Sequence, residues 1–324
     1  MSTKQTIVTS NGTVRTKKRK IDASDIQLYT LCAIPILLVI LFKYVPMFGI
    51  VIAFKKYDFR GGIWGSPWVG FKNFEFFFKS DILLQLVRNT LGNNILFISF
   101  GILSSLVVAI LLFELKSRTA TKIFQTILIT PHFMSWVIVA YMVLAILSPT
   151  SGFLNGIMTS LGIVDKPIDW YSKPNAWPII LTITSVWKTV GMDSVVYYAS
   201  LMGIDTSLFE AAEVDGANKW QRTIHIVVPS LVPLIVILTI LKIGSIFHAD
   251  FGLFYNVTQD GANGNLYETT NVIDTWTFRA FKEGTGDSYG QSSAMGLMQS
   301  IIGIILVLTT DALSKKVDKD LGLF

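Results

Sequence analysis

The 324-residue chain is 51% hydrophobic and only 15% charged, whereas ordinary soluble domains carry about a quarter charged residues. Together with a mean hydropathy of +0.54, this makes a membrane protein the first expectation and leaves little room for a soluble enzyme or a basic nucleic-acid-binding domain. The net charge of +5 is modest, and a single cysteine, Cys32, excludes an internal disulfide. His132, His225 and His248 lie far apart without the spacing of metal ligands, so no metal site is expected.

Residues 1–27 are polar, and Lys17, Lys18, Arg19 and Lys20 precede the first apolar run. No short apolar signal-peptide core occurs there, so the stretch reads as a cytosolic basic tail that anchors topology. A helix needs about 20 apolar residues to cross a bilayer. The first span is expected from about Tyr29 to Phe54, uncharged until Lys43. The second covers Asn89 to Phe113, and the third begins near Ile123 and ends by Pro149 and Gly152. The fourth runs from about Pro178 to Leu201, the fifth from Ile226 to Phe247 and the sixth from Tyr289 to Thr310.

About six spans give an all-α, polytopic membrane protein with both termini on one side. The N-terminal tail, the connector with Lys116, Arg118 and Lys122, the segment 205–228 and the tail with Lys315, Lys316 and Lys319 then share the cytoplasmic face. That face carries 14 Lys and Arg against 10 in the longer outer segments, 55–88, 149–176 and 248–289. The bias agrees with the positive-inside rule, although Lys55, Lys56 and Arg60 in the first outer loop weaken it. The outer loops contain Trp64, Trp68, Trp170 and Trp177, residue types that anchor helices at the membrane interface or form a protein docking surface.

The segment between the fourth and fifth spans has the most distinct local pattern. Ser207 followed by Glu210 is a capping box, Ala211, Ala212 and Glu213 favour helix, and Asp215-Gly216 breaks it. Asn218 caps a second helix through Lys219, Trp220 and Gln221, leading to Pro229 and Pro233 at the fifth span. Ala211, Ala212, Gly216 and Ala217 are small enough for close approach to a partner. An ordinary connector of two spans remains an alternative reading of the same pattern.

Glu210-Ala211-Ala212, then Asp215-Gly216-Ala217, Trp220, Ile226 and Pro229, resemble the EAA loop of the permease subunits of ABC importers. Thr223 departs from the aromatic or aliphatic residue common there. The resemblance runs from about residue 28 to 318 and includes Phe42 to Phe54, Gly62 to Gly70, Arg88-Asn-Thr-Leu91, Pro131 to Trp136 and Ser314-Lys-Lys316. These blocks are similar to the branch importing oligo- and polysaccharides of the oligogalacturonate, aldouronate and alginate type. The resemblance implies a type I importer transmembrane domain over 28–318, with a coupling loop at 203–228 and a short cytosolic tail at 319–324. It implies a multi-pass protein of the bacterial cytoplasmic membrane. It also implies a second permease, two ATPase subunits that bind ATP and magnesium, and an extracytoplasmic solute-binding protein. Coupling to an ATPase would fall to Glu210, Ala211, Ala212, Asp215, Gly216 and Ala217.

No phosphate-binding loop of the form GxxxxGK[ST] and no catalytic constellation occur, so the chain is read as non-enzymatic, with no cofactor of its own. Charges inside spans mark functional or partnered positions. Lys188 falls mid-span, with Trp187, Gly191, Asp193 and Tyr197 on the same helix, while Lys242 and Lys43 sit nearer span ends and can snorkel. Three lysines against one aspartate suggest an anionic sugar, with Trp136, Trp187 and Tyr197 available to stack on its rings. The pathway residues expected on this basis are Lys188, Trp187, Asp193, Tyr197, Trp136 and Lys242. A neutral oligosaccharide is the alternative substrate, and an ATP-independent transporter the less favoured alternative mechanism, because intramembrane carboxylates are few.

Overall fold

The computed structural model describes residues 4–8, 14–18, 23–79, 81–260, 264–284 and 286–317. They fall into two compact units, Met1–Val51 and Ile52–Phe324. The expected tail at 319–324 lies outside the described residues.

In the first unit Lys4–Val8 and Val14–Lys18 pair antiparallel, a feature not expected from the sequence analysis. Both segments are rich in β-branched residues, which suit a pleated backbone. α1 (Ala23–Val39) follows and passes through a π-type segment, Ile40–Tyr44, into a tight 3-10 stretch, Val45–Phe54. Together they form the apolar span Gln27–Phe54.

The second unit is helical. α2 (Gly62–Gly65) and α3 (Lys72–Lys79) precede α4 (Ile82–Phe113), a long uninterrupted helix. α5 (Arg118–Ile129), α6 (Trp136–Leu147) and α7 (Phe153–Ser160) lead to α8 (Trp177–Leu201). α9 (Thr206–Val214) and α10 (Lys219–Arg222) form a hairpin before α11 (Val228–Gly244). α12 (Tyr267–Thr270), α13 (Ile273–Glu283) and α14 (Gly286–Val317) complete the fold. Among the described residues five helical stretches are long and apolar enough to cross a membrane, and a bent pair gives a sixth if it counts as one span.

That bent pair corrects the third expected span. The run is not one helix: Arg118–Phe133 and Trp136–Leu147 meet at 98°. Pro131 lacks a backbone donor, and Ser135 in extended conformation caps α6 by accepting from the N–H of Ile138. Hydropathy alone does not register such a break, because both limbs are equally apolar. The fifth span differs more mildly. Thr223–Val227 widens to a π-type turn just before Pro229, so the stretch from Lys219 to Gly244 is one apolar element.

α4 and α8 pack along each other, and no β-carbon fits at Gly191, where α8 meets the backbone of α5 at Leu128. Three buried clusters divide the interior. One, around Ala109, Tyr197, Leu201, Val227 and Leu231, lies at the hairpin end. A second joins Val139, Val143, Trp177, Leu181, Leu253 and Phe254. The third joins Ala53, Phe77, Leu86, Ile273 and Met295.

Candidate functional site: the hairpin at 205–222 and the polar contacts of the spans

The hairpin is built almost entirely from its own residues. Asp205 is the N-cap of α9, its Oδ1 accepting from the N–H of Ser207 at 2.9 Å. This corrects the expected Ser207–Glu210 box: Asp205 starts the helix two residues earlier and leaves Ser207 inside it. The same bond holds the Asp205 carboxyl below its ordinary value. At the far end Asp215 and Gly216 close the helix, with the N–H of Ala217 donating to Ala212 O at 2.8 Å. Gly216 sits at φ +76°, a conformation that side chains disfavour. Asn218 is the expected cap of α10 and forms a full capping box with Gln221, each side chain accepting from the other's backbone N–H at 2.9 and 2.8 Å.

Only one face of the hairpin touches the bundle. Phe209 packs against Phe113, ring centroids 5.8 Å apart, and Lys219 reaches Glu114 at 3.3 Å. Glu210, Ala211 and Asp215 are exposed, Val214 is 87% exposed and Trp220 72%. Ala212, Asp215, Gly216, Ala217, Gln221 and Arg222 line a shallow concavity of about 320 Å³ between the limbs. Val214 and Trp220 thus present large apolar side chains beside this concavity.

The intramembrane residues divide into three settings. Lys188 is buried and does not pair with Asp193. Its Nζ donates to the carbonyls of His132 (2.7 Å) and Pro131 (3.4 Å) and lies 5.1 Å from the centre of the Trp136 ring. Trp136 in turn donates from Nε1 to Asp250 Oδ2 at 3.0 Å. Lys188 and Trp136 therefore hold the break between α5 and α6. Asp193 meets Lys242 of α11 at 3.0 Å, both side chains about one-third exposed. This corrects the snorkelling expected of Lys242, because its ammonium pairs with an opposite charge on the neighbouring helix. Tyr197 is buried in the hairpin-end cluster, and Trp187 faces an apolar groove with Phe100 and Ile183. Tyr197 and Trp187 thus do not join Lys188 in one lining, and the suggested positive balance is largely consumed by Asp193 and backbone carbonyls.

At the opposite end of the bundle the sequence analysis missed a polar layer. On α4, Gln85 Nε2 donates to Tyr267 O (2.8 Å), Arg88 to Glu268 O (2.8 Å), and Asn89 to Glu268 O and Asn271 O (3.0 and 3.1 Å). One turn on, Asn93 donates to Thr269 O at 3.1 Å, and Asn94 to Ile246 O and His248 O at 2.7 and 3.1 Å. Five donors within ten residues of an otherwise apolar helix were the available signal. Asp260, its side chain 1% exposed, pairs with Arg279, which also bonds Asn271 and lies 4.3 Å over the Tyr267 ring. The Asp274 carboxylate, 3.8 Å from His248 Nδ1, raises that imidazole above its ordinary value. Burial pushes the Tyr171 hydroxyl up to about 12. Lys55, expected to add to the outer basic charge, is buried and donates to Ile63 O and Trp64 O at 2.9 and 3.0 Å. Trp177, expected to anchor at the membrane interface or to form part of a docking surface, is instead fully buried and donates to Trp170 O at 2.9 Å.

Residues 98–321 match the family described as binding-protein-dependent transport system inner membrane component. Protein LplB of Bacillus subtilis is 33% identical over 300 residues, 93% of this chain and 92% of that protein. The polygalacturonan/rhamnogalacturonan transport system permease protein YteP of the same organism is 33% identical, over 86% of this chain and 84% of its own. A chain in the crystal structure of a bacterial alginate ABC transporter, in complex with alginate pentasaccharide-bound periplasmic protein, superposes with a TM-score of 0.80 at 31% identity, covering 91% of this chain and 96% of that one.

Proposed function

Because this chain belongs to the family of inner-membrane components of binding-protein-dependent transport systems, we propose that it is one of two permease subunits of an ATP-driven saccharide importer. The chain is a multi-pass inner-membrane permease rather than an enzyme. The hairpin formed by α9 and α10 docks on an ATPase partner that binds ATP and magnesium, through Glu210, Ala211, Ala212, Asp215, Gly216 and Ala217. Its exposed Val214 and Trp220, beside a concavity closed by Gly216 at φ +76°, are the observation that carries this reading. Both termini then lie on the cytoplasmic side, and the polar layer at the opposite end meets a solute-binding protein.

The substrate proposed is an oligo- or polysaccharide, with uronate-containing chains foremost. Support comes from the relatives, one named for polygalacturonan and rhamnogalacturonan and one solved with alginate pentasaccharide on its binding protein. The intramembrane lysines add little: Lys242 is paired and Lys188 is bound to carbonyls. That neutralisation favours a neutral oligosaccharide as the second reading.

The test is ATP hydrolysis by the lipid-reconstituted complex, with binding protein loaded with uronate or neutral oligomers. Stimulation by uronate oligomers that Glu210→Lys abolishes supports both parts. Stimulation by neutral sugars alone moves the substrate to the second reading. A complex from which no ATPase co-purifies refutes the importer.

A further inference from the structure

A cleft of about 340 Å³ opens between α6 and the segment 253–259. Val137, Ala140, Tyr141, Leu144, Tyr255, Asn256 and Gln259 line it. Both walls are interrupted elements. α6 is the limb beyond the 98° break, and Leu253–Val257 is a π-type turn. In membrane transporters, discontinuous helices bring free polar groups to ligand sites at depth.

Three features fit a ligand rather than packing. Gln259 is the sole non-glycine residue at positive φ among the described residues, at +57°. Such strain persists only where the surroundings over-determine it, and it gathers at ligand clamps. The Tyr255 ring is fixed in advance, stacked on Phe251 at 4.9 Å and edge-on to Phe278 at 5.2 Å. Among the described residues, no hydrogen bond uses the Tyr141 or Tyr255 hydroxyl or the Gln259 side-chain amide, whereas Asn256 spends one N–H on Gly252 O at 2.8 Å. Tyr141, which lines the cleft, is 69% exposed.

We infer that this cleft is a saccharide subsite, in which Tyr255 and Tyr141 pack against a sugar ring and Gln259 and Asn256 bond its hydroxyls. Flat aromatic faces beside a few convergent amides, in a cleft within the usual range of about 300–1,000 Å³, suit one pyranose unit. No charged side chain lines the cleft, so the subsite reads ring and hydroxyls and is indifferent to a carboxylate. It is separate from the Lys188–Trp136–Asp250 contacts that hold the break. The inference rests on the importer reading and specifies where along the path that substrate is held.

The experiment uses the complete complex in lipid nanodiscs and vesicles, with a galacturonate tetrasaccharide and a neutral glucose tetrasaccharide as probes. Uptake per ATP hydrolysed is measured for wild type, Tyr255→Phe and Gln259→Gly. Loss of one hydroxyl or amide contact lowers uptake per ATP about three- to tenfold, equally for whichever probes the wild type carries. Gln259→Gly relieves the positive φ, so its melting temperature stays or rises while its uptake falls, an outcome that a structural role would not give. In a second measurement Tyr141→Cys, placed in a Cys32→Ser background, reacts with a maleimide in the assembled complex, and the transported probe slows that reaction. Wild-type uptake per ATP in both variants overturns the subsite and leaves the importer standing. So does a Cys at 141 that is unreactive because another subunit covers it. A wild-type complex that carries neither probe and does not respond to loaded binding protein overturns both readings.

Discussion

The hairpin at 205–222 and the break at 130–136 are held by opposite means. The hydrogen bonds that shape the turns and caps of the hairpin come from within it: Asp205 to Ser207, Ala217 to Ala212, and Asn218 with Gln221. The break has a local cap at Ser135, but it is also tied from a distance, by Lys188 on α8 and by Asp250 beyond α11. A locally held element can shift as a body without losing its form, which suits a part that transmits force. A break tied to two other segments changes only when those segments move against it.

The contrast predicts where substitutions are felt. The largest expected effect lies in the distant-contact class, at Arg279→Ala. Asp260 would be left buried without its partner, a loss of about 3–5 kcal/mol, measured as a lower unfolding temperature of the purified protein. An unchanged temperature would mean that Asp260 is neutral or hydrated there. Next comes Lys188→Met, which keeps the bulk but leaves the Pro131 and His132 carbonyls without a donor. A cost of about 1–3 kcal/mol is expected, accompanied by faster hydrogen exchange at 130–136. If exchange there stays slow, the Ser135 cap and Trp136 suffice without the lysine.

Legibility follows the same division. The hairpin could be read because caps, glycine turns and small residues act over a few positions, and the one error, Ser207 for Asp205, was a choice between two good caps two residues apart. The helical spans and their order were legible from hydropathy, apart from the break, since Pro131 and Ser135 act without changing how apolar the run is. The partners of Lys188 and Lys242 were not legible. Sequence shows a charge at a depth, but whether it meets a carbonyl, an aspartate or a substrate depends on which helices become neighbours. Trp177 failed for the same reason, because an aromatic at a span end is interfacial only if nothing packs over it.

A smaller effect sharpens the comparison from the local side. Gly216→Ala forces a β-carbon into φ +76° at a cost of about 1 kcal/mol. Because the hairpin is self-contained, the unfolding temperature of the whole protein should change little while ATPase stimulation by loaded binding protein drops. A fall in overall stability as large as that of Lys188→Met would show that the hairpin is not the independent unit its contacts suggest.

The smallest expected effect is a pH dependence at the end of the molecule held by distant contacts. His248 has a raised folded pKa because Asp274 lies beside it. Its contribution is therefore complete below the unfolded value of about 6.5 and is lost as pH rises through the higher folded value. Asp274 also accepts from the N–H of Ala249 at 2.7 Å and from Gln299 at 3.3 Å, so losing the charge on His248 loosens one contact of three. Hydrogen exchange, corrected for its intrinsic pH dependence, should thus quicken modestly at 246–250 across that interval and stay level at 205–222, where Asp205 is already ionised. His248→Gln should remove the pH dependence while leaving the Ala249 and Gln299 bonds in place. If both segments respond alike, the pH effect comes from elsewhere in the molecule and the His248–Asp274 contact does not contribute to it.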